Sequence, residues 1–142
     1  MKNAIKFGIL IGIASGIWIV IMHFAGVYNR AYPISDRSMS SSINWLEYIS
    51  TFIPFLGLFF GIKNFRDNIN GGRMEFFEGI FEGFKILVIG GVIAGFFIAV
   101  YTSYVNNNIG MDFMGRIGYA GLFGILCTIT ISLILMNRQR NL

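Results

Sequence analysis

Residues 61–85 read GIKNFRDNINGGRMEFFEGIFEGFK, and this stretch decides how the rest of the chain is laid out. Seven charged residues fall between Lys63 and Glu82, and Lys85 adds an eighth, in a chain with eleven Lys and Arg and seven Asp and Glu. Two long apolar segments lie on either side of it. A chain built this way is expected to be a membrane protein of four hydrophobic segments, with this polar stretch as its central hinge.

Composition points the same way. The chain has 142 residues, enough for one domain. Its hydrophobic fraction is 55% and its mean hydropathy +0.67. Only 13% of residues are charged, about half the roughly 25% of a water-soluble domain. The net charge of +4 does not read as a nucleic-acid surface, because the basic residues stand at the ends of apolar runs. Cys127 is the one cysteine, so no intrachain disulfide can form. The N-terminal run after Lys6 is uncharged through Asn29, longer than a signal-peptide core, and is read as a retained helix.

An apolar helix needs about 20 residues to cross the hydrocarbon core. Four stretches qualify: residues 5–27, 43–62, 83–105 and 117–136. None alternates as barrel strands do, and helices satisfy their own backbone hydrogen bonds in lipid. The expected fold is therefore all-α, a polytopic membrane four-helix bundle. Four crossings would put Lys2, Lys6, Lys63, Arg66, Arg73, Lys85, Arg138 and Arg140 on one side. Arg30, Arg37 and Arg116 would lie on the other. Eight against three predicts that both termini and the hinge are cytoplasmic. Tyr28, Tyr32, Trp45, Tyr48, Tyr101, Tyr104 and Tyr119 would then form an aromatic belt at the outer boundary.

Small residues recur at helical spacing. Gly8, Gly12 and Gly16 form one line, Gly91, Gly95 and Ala99 a second, and Ala120, Gly124, Thr128 and Ser132 a third. Such lines let helices approach closely, and all are read as packing positions. A shift of 79 superposes Lys6, Gly12 and Gly16 on Lys85, Gly91 and Gly95, which suggests a parallel duplication or chance likeness between glycine-rich helices.

Within the hinge, Asn68–Gly72 reads as a turn, followed by a short amphipathic helix over residues 73–84. That helix is either separate from the next apolar helix or continuous with it. On a helix, Glu75, Glu78, Glu82 and Lys85 share one stripe, opposite Phe76, Phe77, Ile80, Phe81 and Phe84. The stripe is either a solvated face or, with Arg66, Asp67, Gly71 and Gly72, a cytoplasmic docking face. The pattern Arg66-Asp67, Gly71-Gly72, Phe76, Gly79, Phe81 and Gly83 resembles the central segment of domain of unknown function family 4199, four-helix membrane proteins of Bacteroidetes. The resemblance implies the four-helix plan and carries no activity. Glu75 stands where that family more often has a small hydroxyl residue able to cap the helix.

Ionisable residues near the membrane interior are functional candidates. His23 and Glu47, with Asp112 in the second outer loop, would form a shallow outer polar site, and Pro54 would kink the second helix. The chain has no phosphate loop, dinucleotide fingerprint or nucleophile elbow. Its one His and one Cys lie at different depths, so neither a metal site nor a Cys–His nucleophile is expected. The sequence predicts a non-enzymatic inner-membrane protein without cofactor. It would be an accessory subunit packing with itself or another membrane protein; the alternative is a small oligomeric transporter or lipid flippase.

Overall fold

The computed structural model describes residues 1–25, 45–105 and 110–137, and within them not the side chains of residues 23, 45–48, 102, 105 and 110–117. Four α-helices follow in order: α1 (Lys2–Phe24), α2 (Trp45–Asn64), α3 (Phe76–Val105) and α4 (Gly110–Leu135). A π-helical turn, Phe65–Ile69, extends α2. Pro54 lies inside α2 without ending it. Three helical segments, Lys2–Met22, Phe76–Tyr101 and Gly118–Leu135, are long and apolar enough to cross a membrane.

The contacts give the direction of each helix. Gly8, Gly12 and Gly16 of α1 face Ile89, Ile93 and Phe97 of α3, so these two helices run parallel. Gly57 faces Ile11 and Gly61 faces Phe7, so α2 runs against α1. Gly83 faces Thr128 and Gly124 faces Leu87, so α4 runs against α3. The start of α1, the turn after α2 and the end of α4 therefore gather at one end of the bundle. Its core is Ile11, Leu58, Ile62, Met74, Ile86, Ile131 and Leu135, ringed by Phe7, Phe55, Phe59 and Phe65.

Of the two alternatives for the amphipathic stretch, the structure shows the continuous one: residues 76–84 are the first turns of α3, a single helix of 30 residues. Two features keep it unbroken. The Glu78 carboxylate reaches back to accept the Glu75 backbone N–H at 2.9 Å, the return half of a capping box. Gly79 and Gly83, which would weaken an isolated helix, are packed against Ser132 and Thr128 of α4. Glu75 is thus the capping position, where its carbonyl accepts the Gly79 N–H at 3.2 Å. Replacing Glu78 by alanine removes the reach-back bond and a negative charge at the helix start. We expect a loss of about 1 kcal/mol, read as a lower unfolding midpoint in detergent.

The helix ends also shift. α1 and α4 begin earlier than their apolar cores at residues 5 and 117, and the expected end of the first segment at residue 27 lies outside the described residues. Apolarity marks the part of a helix that lipid must cover, whereas backbone hydrogen bonding carries the helix on into polar residues.

Candidate functional site

The site begins with the chain reversal after α2. Gly71 and Gly72 have φ of 63° and 81°, the left-handed region that an L side chain resists. The Gly72 N–H reaches the Arg66 carbonyl at 2.8 Å, and the Asn70 N–H reaches the Phe65 carbonyl at 3.0 Å. These bonds close the π-helical turn and point the chain back into the bundle. A Gly71→Ala or Gly72→Ala substitution should cost about 1–2 kcal/mol each through backbone strain, since no side chain crowds either position. Equal unfolding midpoints for wild type and both variants would contradict this account.

The reversal is tied to the end of α4 by Asn137, a residue the sequence reading did not single out. Its side-chain oxygen accepts the Met74 N–H at 2.9 Å, its amide donates to the Gly72 carbonyl at 2.6 Å, and its backbone N–H meets the Met74 carbonyl at 3.3 Å. Arg66 donates to the Leu135 carbonyl at 3.5 Å and pairs with Asp67 at 2.6 Å. That guanidinium holds the Asp67 carboxyl below the usual aspartate range. Met74, pinned between these bonds, is fully buried.

A second polar knot lies at the level where α1 begins. Asn3 donates to the Gly61 carbonyl at 3.0 Å and to Glu82 Oε1 at 2.9 Å, and accepts from Asn64 at 2.7 Å. Asn68 continues the chain by donating to Asn64. Lys85 Nζ stands 3.5 Å from Glu82 Oε2. Asn3 is 5% exposed and Glu82 2%, so a carboxylate from α3 is held inside the bundle by α1, with α2 bonded to the same asparagine. Burial of a charge is costly unless it is paired and hydrogen-bonded, and here both conditions hold.

The stripe of residues 75–85 is divided: its glutamates are buried or partly buried, whereas Lys85 stays exposed. Glu82 is buried, Glu78 is partly buried and bonded to Asn70 at 2.8 Å, and Phe77, Phe81 and Phe84 are 60%, 64% and 53% exposed. The other sequence candidates are placed as follows. Arg66, Asp67, Gly71 and Gly72 build the reversal, and Glu75 caps α3. Gly8, Gly12, Gly16 and Gly124 lie against side chains of neighbouring helices, whereas Gly91 and Gly95 have no heavy atom within 4 Å of an added Cβ. On α3 it is Gly90 that meets α1, against Ile11 and the Gly8 carbonyl. The shift of 79 therefore superposes inward glycines of α1 on outward glycines of α3. The side chains of His23, Glu47 and Asp112 lie outside the described residues.

The described residues define an all-α protein with four helices, three of them fit to cross a membrane. A family model described as a protein of unknown function (DUF4199) matches residues 6–117, and the chain belongs to that family. No curated protein and no solved structure matches it.

Proposed function

We propose that this chain is a four-pass protein of the bacterial inner membrane, with both ends and the reversal cytoplasmic. It serves there as a non-enzymatic accessory subunit that packs with a second copy or another membrane protein. The four-pass reading is supported by the antiparallel packing of α2 against α1, which returns the chain to the end where α1 begins. The orientation is supported by the excess of Lys and Arg at that end.

The observation that carries the accessory role is the outer face of α3. Gly8, Gly12, Gly16 and Gly124 are spent on contacts within the chain, while Gly91 and Gly95 are open on a helix already packed by α1 and α4. Close approach through small residues is how helices associate when lipid supplies no hydrophobic drive.

Photoreactive residues at Phe77 and Val92, both on exposed positions of α3, test this in cells. One recurrent cross-linked product, either a dimer or a single partner, is expected. A lone monomer in mild detergent, with no product in cells, would end the accessory reading.

The transport alternative draws on Glu82, an ionisable side chain inside the bundle. Its hydrogen bond to Asn3 and its pairing with Lys85 fit a fixed structural knot better than a carrier site. Loss of a transport phenotype on replacing His23, Glu47 or Asp112 by alanine would reverse that preference.

A further inference from the structure

Among the described residues, the reversal end of the bundle carries six Lys and Arg against four Asp and Glu, and the fold sorts them. Asp67 is taken up by Arg66, Glu78 by the start of α3, and Glu82 by Asn3 and Lys85. Glu75 is partly buried at the capping position. The cations go the other way: Lys2, Lys6, Lys63, Arg73 and Lys85 are all exposed, Lys85 keeping half of its side chain in the open beside Glu82.

The Asn3 knot also sets their depth. It joins the turn of α1 that carries Lys2 and Lys6 to Gly61, which precedes Lys63, and to Glu82, which precedes Lys85. Lys6 Nζ lies over the Phe7 ring, 5.7 Å from its centroid. Phe81 and Phe84 stand exposed on the same turns of α3 that carry Lys85.

We infer that this end of the bundle is a binding surface for anionic phospholipid, in which Lys2, Lys6, Lys63 and Lys85 hold phosphate headgroups while Phe81 and Phe84 sit among the acyl chains. Charge complementarity selects the lipid. Lysines held within about one helical turn of one another meet a plane of phosphates, and the carboxylate beside Lys85, Glu82, is buried and does not repel it. Long lysine stems can snorkel to that plane from apolar surroundings. The inference rests on the chain spanning a bilayer and is independent of whether α3 has a protein partner.

The test places the full chain in nanodiscs of phosphatidylcholine with phosphatidylglycerol mixed in, and reads the lipids retained in native mass spectrometry. Wild type should retain phosphatidylglycerol in several-fold excess over its share, and raised salt should shrink that excess. Each of Lys2→Gln, Lys6→Gln and Lys63→Gln should lower the preference about fivefold, or about 1 kcal/mol, and Lys→Arg at the same sites should preserve it. Unfolding midpoints in phosphatidylcholine alone check that the variants remain folded. Retention of the two lipids in proportion to their supply would overturn the inference for wild type whatever the variants do. An undiminished preference in the folded glutamine variants would overturn it as well.

Discussion

Asn3→Leu should be among the most damaging single substitutions in this chain, although the residue lies two positions from the N-terminus. It removes the donor to Glu82 Oε1, the donor to the Gly61 carbonyl and the acceptor for Asn64 together. A hydrogen bond to a charged group contributes about 1.5–3 kcal/mol, and the carboxylate left behind, 2% exposed, retains among the described residues only Lys85 at 3.5 Å. We expect a loss of about 3 kcal/mol, read as a lower unfolding midpoint in detergent or nanodiscs. Glu82→Gln in the same chain should return part of it, because a neutral amide costs less to leave unpaired than a carboxylate. The double-mutant cycle is therefore the decisive form of the experiment. Additive losses from the two sites would show that Asn3 and Glu82 do not act as a unit.

The knot explains why this part of the molecule was hard to read from sequence. Projection of residues 75–85 on a helical wheel correctly separates the glutamates from the phenylalanines. It does not say which side faces out, because that depends on the medium. In water the carboxylates would face outward. Here Phe77, Phe81 and Phe84 take the exposed side, and Glu82 turns to an asparagine of α1 far away in sequence. No local pattern announces Asn3 or Asn137, since each is a lone amide whose partners are brought by the fold. The four helices were legible because apolar length is a one-dimensional property. Their polar ends were less so: Glu78 and the packing of Gly79 and Gly83 carry α3 back to Phe76, ahead of the start expected at residue 83.

The reversal was legible for a different reason. Gly71-Gly72 is required by backbone sterics alone, with φ positive at both residues. Arg66-Asp67 was visible as part of a family pattern, but its use was not. Arg66 serves the last turn of α4, a contact across 69 positions that turn chemistry could not supply. Local rules thus located the bend, and long-range hydrogen bonds decided what the bend holds.

Leucine substitutions in the two glycine lines should separate their roles sharply. At Gly12 an added Cβ would lie 2.6 Å from Cβ of Ile93 and 3.2 Å from the Gly90 carbonyl, and at Gly8 it would lie 2.7 Å from Ile89. One of those obstacles is backbone, so side-chain rotation cannot clear the space and α1 must move off α3. Overpacking of this kind costs about 1–3 kcal/mol for modest additions. Gly12→Leu is expected at or beyond the upper end, because Gly8, Gly12 and Gly16 form one continuous seam. At Gly91 and Gly95 an added Cβ meets nothing within 4 Å, and leucine gains helix propensity of up to about 1 kcal/mol, so the isolated chain should be no less stable. If α3 is the face that receives a second membrane protein, these same two variants should lose the cross-linked product while keeping the wild-type unfolding midpoint. Gly12→Leu should lower the midpoint whether or not a partner is present. A Gly91→Leu, Gly95→Leu chain that is fully stable and still cross-links as wild type would remove the outer face of α3 from any role in assembly, leaving the α1–α3 seam as a purely internal joint.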